Sequence, residues 1–203
     1  MTPVIYLNAF RTSGNHILKR TLKHLLRSIL GMLPASVSTR STTARVLKWF
    51  LDPNESHCQG IRLLRCLFEV MGEQWIDEAD TTRVRREVSE GDSRFDIVIE
   101  SRSVFACIEV KIRAQESREQ LVRYFERVDK KIRGRRFVGR LLTVDGKSGE
   151  PVVERFTRLL WSDVACALRR FCGAEYGSDP LTPRSLLIRE LASQYADFIT
   201  SHF

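Results

Sequence analysis

At 203 residues, with 43% hydrophobic and 29% charged side chains, the chain has the make-up of a globular protein with one well-buried core. It has no apolar run long enough to span a bilayer, which excludes a helical membrane protein. Its formal charge of +8 is concentrated at one end: residues 1–51 carry Arg11, Lys19, Arg20, Lys23, Arg27, Arg40, Arg45 and Lys48 and no acid, while the rest of the chain is balanced. A segment of this kind suits a polyanionic partner, either nucleic acid or an anionic membrane surface. The five scattered cysteines form no C-x-x-C pair and follow no secretory signal, so they read as reduced thiols of a cytoplasmic protein.

In chain order, HILKRTLKHLLRSILGML places Ile17, Leu18, Leu22, Leu25, Leu26, Ile29, Leu30 and Leu33 at helical spacing, with basic residues on the other side. The basic side is either a solvated face, a DNA-backbone contact through residues such as Lys19 and Lys23, or a surface-seeking helix. PASVSTRSTTA then reads as a polar linker, which sets residues 1–40 apart from a domain over 41–203. A helix over about 43–51 stops at Asp52-Pro53-Asn54, and another over 60–71 turns Ile61, Leu64, Leu67 and Phe68 to a core.

From Arg83 the apolar period changes to two, through VRREVSEGD, FDIVIES and VFACIEVKI. A charged helix over about 117–132 follows, then a strand over 137–144 and closing helices near 161–171 and 183–201. That order predicts a three-layer α/β/α sandwich around a mixed sheet, with extra terminal helices.

The hairpin RFDIVIESRSVFACIEVKI has a further property. Phe95, Ile97 and Ile99 alternate in its first strand, and Val104, Ala106, Ile108, Val110 and Ile112 in its second. If both sets face one core, Asp96, Glu109 and Lys111 share the opposite face. A two-residue turn at Ser101-Arg102 sets Asp96 opposite Cys107 and diagonal to Glu109; a four-residue turn sets Asp96 directly opposite Glu109. In either register the carboxylates lie roughly 4.5–8 Å apart and repel unless a cation or a proton intervenes. Phe105, Cys107 and Val98 share that face, so a helix is expected to cover it, and an unpaired charge there is costly. Asp96 and Glu109, with the Val110 carbonyl, form an oxygen set suited to Mg²⁺, or Mn²⁺ in its place. Lys111 can orient or help deprotonate an attacking water, which points to phosphodiester hydrolysis.

Asp96 followed by Ile108-Glu109-Val110-Lys111 resembles the D…(D/E)-x-K core of the PD-(D/E)XK nuclease superfamily, whose fold is restriction-endonuclease-like. WFLDPNESH is similar to the LLDP…SH segment of a bacterial branch, Glu87 to an acid on the preceding strand, and Gln120-Leu121-x-x-Tyr124 to the QL…Y motif. The resemblance implies Asp96 and Glu109 as metal ligands, Lys111 as the catalytic lysine, and Gln120 and Tyr124 as substrate-positioning groups. It adds Glu87 and His57 as further candidate ligands. That branch often has a glutamate on the helix before LLDP, and residues 1–51 have no acid, so Glu87 or His57 stands in for it or the site is weakened.

RVDKKIRGRR supplies Arg127, Lys130, Lys131, Arg133, Arg135 and Arg136 for DNA phosphates; the same cations also suit a helix C-terminus. The expectation is therefore a Mg²⁺-dependent deoxyribonuclease of bacterial or phage restriction or defence, acting as a homodimer or with a defence-system partner. The alternatives are a catalytically weakened nuclease fold that binds nucleic acid, and a surface-associated protein in which the hairpin charges are incidental.

Overall fold

Three runs of period-two apolar residues form the first half of a six-stranded sheet: β1 (Arg83–Glu90), β2 (Ser93–Glu100) and β3 (Val104–Val110). β4 (Arg136–Thr143), β5 (Pro151–Val153) and β6 (Phe156–Leu160) complete it in the order β1-β2-β3-β4-β6-β5. β1, β2 and β3 form an antiparallel meander, β3, β4 and β6 are mutually parallel, and β5 returns antiparallel on β6. The computed structural model describes residues 39–75, 77–90, 93–111, 121–122, 126, 132–153, 155–174 and 182–203. The chain divides into two units, Met1–Thr42 and Thr43–Phe203, and nearly all described residues lie in the second.

Both faces of the sheet are buried. On one, Val98, Phe105, Cys107, Leu141 and Phe156 pack with Leu121 and Ile132, helical residues of the β3–β4 crossover. This is the helical cover anticipated for the face that carries Asp96 and Glu109. On the other, Ile97, Ile99, Ala106, Ile108, Val110, Val138 and Leu142 are equally buried. Here Arg140 reaches Glu73, just past α2 (Arg62–Val70). α2 and α4 (Pro183–His202) both pack on α3 (Trp161–Gly173). The architecture is a three-layer α/β/α sandwich. Phe95 departs from the alternation: it joins the cluster around Val98 because the β1–β2 ladder skips Glu87 and Asp96, and Glu87 takes a left-handed φ of 55°.

α1 (Thr39–Leu51) buries Val46, Leu47, Phe50 and Leu51 and ends where Pro53 disfavours a helical residue before it. The Asp52 carboxylate then accepts the Asn54 N–H at 3.1 Å, closing an Asx-turn. Tyr195 of α4 stacks on Phe50 and donates its hydroxyl to the Thr43 carbonyl at 3.0 Å, joining the last helix to α1. α4 itself starts with a Thr182 cap on the Ser185 N–H and Pro183 in its first turn.

β5 and β6 were not anticipated. Phe156, Leu159 and Leu160 are spaced three and four apart, a helical spacing, and β6 runs into α3 at Trp161 without a turn residue. What admits β6 is Gly139 on β4: a Cβ there would stand 2.6 Å from the Arg155 carbonyl oxygen and 3.0 Å from the Phe156 ring.

Candidate active site

β2 and β3 pair Ile97 with Ile108, Val98 with Cys107, Ile99 with Ala106 and Glu100 with Phe105, so the four-residue turn is the one adopted. One step further, that register sets Asp96 opposite Glu109. Instead of continuing the backbone ladder, the Asp96 carboxylate accepts the Val110 N–H at 2.8 Å, which holds it at Glu109's end of the hairpin. Glu109 is fully buried, and Asp96 and Lys111 are each 9% exposed. A buried carboxylate is unfavourable without a counter-charge, and the Lys111 ammonium supplies one 3.0 Å from Glu109 Oε1. Lys111 is held in turn by its own N–H, which donates to the Leu142 carbonyl at 2.7 Å as β3 leaves the sheet beside β4.

The β1–β2 register gives Glu87 the position opposite Asp96. Three acids thus line up across three adjacent strands, but the Glu87 carboxylate is engaged by Arg86 Nη2 at 2.7 Å. Among the described residues, no group of three or more His, Cys, Asp or Glu side chains is placed to hold a metal ion. The donor set nevertheless fits a hard divalent cation: two carboxylates and a backbone carbonyl suit Mg²⁺ or Mn²⁺, which keep several waters and need only one or two carboxylates.

The family model of the PD-(D/E)XK nuclease superfamily matches residues 32–153, a stretch that contains the whole β1–β3 meander and the crossover to β4. The chain belongs to the PD-(D/E)XK nuclease superfamily. MspJI restriction endonuclease in complex with a 27-mer oligonucleotide is a similar solved structure, with 20% sequence identity and a TM-score of 0.30. The likeness covers 84% of this chain, which spans 43% of that one. No curated protein matches the chain.

Within this PD-(D/E)XK domain, two expectations change. His57 does not join the acids. It is buried, its Nδ1 accepts the Gln59 N–H at 2.9 Å, and its ring lies edge-on to Trp49. Nδ1 is therefore unprotonated and the proton sits on Nε2, so neither nitrogen offers a lone pair to a metal. Burial also lowers the imidazole pKa, outweighing the carbonyls of Asp52 and Trp49 and the nearby acids, which favour the charged form. The rest of LDPNESH is a structural tie. Lys48 bridges Asp52 at 2.8 Å and Glu55 at 2.7 Å, and Asn54 Nδ2 donates to the Thr82 carbonyl at the entrance to β1. Burial works against the Lys48 charge, but those two carboxylates prevail and raise its pKa.

Among the basic residues, Arg133 is exposed on the loop before β4. Arg135 and Arg136, expected on DNA, also make bonds within the domain. Arg135 lies over the Phe105 ring and donates to the Ser101 and Ile132 carbonyls. Arg136 binds Glu73 and the Gln74 carbonyl. Gln120, Tyr124, Lys19, Lys23, Arg127, Lys130 and Lys131 lie outside the described residues.

The sequence reading missed Asp77, whose carboxylate accepts Ser101 Oγ at 2.7 Å, the Ser103 N–H at 3.2 Å and Ser103 Oγ. Burial works against its charge, yet these donors lower its pKa. Asp77 stands among Glu73, Glu78 and Asp80 in the stretch before β1, and no periodicity marks it out from them. Only the facing SRS tripeptide, with two hydroxyls at the hairpin tip, hinted at an acceptor.

Proposed function

We propose that this chain is a Mg²⁺- or Mn²⁺-dependent nuclease that hydrolyses DNA phosphodiester bonds, in a bacterial or phage restriction or defence setting. The observation that supports this reading is the gathering of charges at one end of the hairpin, where the Asp96 carboxylate accepts the Val110 N–H and Lys111 stands against Glu109. Asp96 and Glu109, with the Val110 carbonyl, would hold the cation. A bound Mg²⁺ or Mn²⁺ supplies Lewis acidity at the phosphate and a water acidified enough to attack near neutral pH. Asp96, fixed by the Val110 N–H, and Glu109, fixed by Lys111, present their oxygens without rearrangement. Lys111 orients the attacking water. Its charge offsets the negative charge that grows on the phosphoryl oxygens as the water–phosphorus bond forms and the ester bond breaks. Leu121 and Ile132, packed on the cluster around Cys107 and Leu141, limit competing solvent on this face.

A second reading, a weakened nuclease fold that binds nucleic acid without cutting it, draws on the pairing of Glu87 with Arg86 and of His57 with Gln59, and on the finding that among the described residues no group of three ligating side chains is placed to hold a metal. Incubation with linear, nicked and single-stranded DNA in Mg²⁺, Mn²⁺ or EDTA separates the two. The nuclease reading predicts metal-dependent cleavage that falls by roughly 10²–10³-fold in Asp96→Ala, Glu109→Ala and Lys111→Ala. Binding that weakens steeply with salt and yields no product in any metal supports the second.

A further inference from the structure

Apolar alternation fixes the parity of the β2–β3 pairing and nothing more. Sliding β3 by two residues along β2 returns every apolar side chain to the face it had, so burial hardly distinguishes the two registers. The choice falls to the turn. In the alternative pairing, with Glu100 opposite Ser103, Asp96 faces Cys107 and is only diagonal to Glu109, at the far end of the roughly 4.5–8 Å range, where the two carboxylates share a cation less well.

We infer that Asp77 is a positioning residue of the proposed nuclease site, selecting through the hairpin turn the register that sets Asp96 opposite Glu109. The inference takes its functional meaning from the nuclease reading; its structural content stands apart from it. The backbone groups of Ser101 and Ser103 are all hydrogen-bonded. The Ser101 N–H donates to the Val104 carbonyl at 2.9 Å, and the Ser101 carbonyl accepts Arg135 Nη1 at 3.2 Å. The Ser103 N–H donates to Asp77, and its carbonyl accepts the Arg136 N–H at 2.8 Å. Ser101 Oγ donates to Asp77 and accepts the Val104 N–H at 3.0 Å, replacing the backbone carbonyl that would otherwise close the turn. In the alternative register Ser103 enters the ladder opposite Glu100, and this set of bonds to one carboxylate is lost. Asp77 can impose the choice because it is anchored: its carbonyl accepts Trp75 Nε1 at 2.9 Å, and the buried Trp75 packs edge-on against Phe68 of α2.

The test reads the register directly. In the wild type, cross-strand backbone NOEs should join Ile97 with Ile108 and Ile99 with Ala106. In Asp77→Ala a second set joining Asp96 with Cys107 should appear, with Mn²⁺ affinity and cleavage both at least ~10-fold weaker. Asp77→Asn, which keeps an acceptor, should restore the first set and most of the affinity. Should Asp77→Ala fail to fold, Ser103→Ala, which removes one hydroxyl donor, should show the same second set at lower population. Wild-type NOEs with wild-type Mn²⁺ affinity in Asp77→Ala, or in Ser103→Ala where that is the folded variant, would overturn the inference. A wild-type protein that neither binds Mn²⁺ nor cuts DNA would sink the nuclease reading instead, and the NOEs would still decide what Asp77 does to the register.

Discussion

Glu109 has no exposed surface, and Lys111 stands beside it almost as deeply buried. Removing one member of such a pair leaves the other charge uncompensated, whereas removing both is far less harmful. Lys111→Met should therefore lower stability by about 3 kcal/mol in urea titrations, and Glu109→Gln/Lys111→Met should recover most of that loss. His57 gives the opposite case, a group buried in its neutral form. Its folded pKa lies below the ordinary value of about 6.5, so the unfolded chain binds the extra proton more readily. Its contribution is complete above pH ~6.5 and shrinks as the pH falls from there toward the folded pKa. The thermal midpoint of His57→Gln should vary less than that of the wild type between pH 7 and pH 5. That Asp96, Glu109 and Lys111 gather at one end of the hairpin was legible in the sequence because strand alternation is a two-state rule. Whether His57 ligates or donates depends on which nitrogen meets the Gln59 N–H, a detail of turn geometry that no periodicity carries.

The β1–β3 meander and helices α1 to α4 were legible as elements, because each keeps one apolar period over seven residues or more. β6 was not, since five residues are too few for a period and its apolar spacing imitates a helix. Its place beside β4 depends on Gly139, whose missing side chain leaves room for the Arg155 carbonyl and the Phe156 ring. Gly139→Ala should cost about 1–3 kcal/mol by chemical denaturation. Two residues of the basic run RVDKKIRGRR have partners inside the domain. Cations at the end of a crossover helix suit a phosphate, but Glu73 and the Ser101 carbonyl meet Arg136 and Arg135 first. Both acceptors come from distant parts of the chain, so sequence spacing could not reveal them.

Across the whole domain, bonds remote from the acids serve their geometry. Trp75 and Phe68 anchor Asp77, Asp77 accepts from both serines of the turn, and the turn leads into the register that pairs Ile97 with Ile108, one step short of Asp96 and Glu109. LDPNESH links α1 to the start of β1, and Tyr195 closes α4 onto α1, so both ends of the domain bear on the same meander. The sheet order could be read from sequence only as far as the hairpin, because parallel neighbours such as β3 and β4 meet through a crossover and leave no local signature. The central claim is that Asp96 and Glu109 form one cation site. Calorimetric titration of Mn²⁺ into the wild type and into Asp96→Ala, Glu109→Ala and Glu87→Ala tests it most directly. The account predicts binding to the wild type, binding within a few-fold of it in Glu87→Ala, and its loss in the other two. Wild-type affinity retained in Glu109→Ala would contradict it.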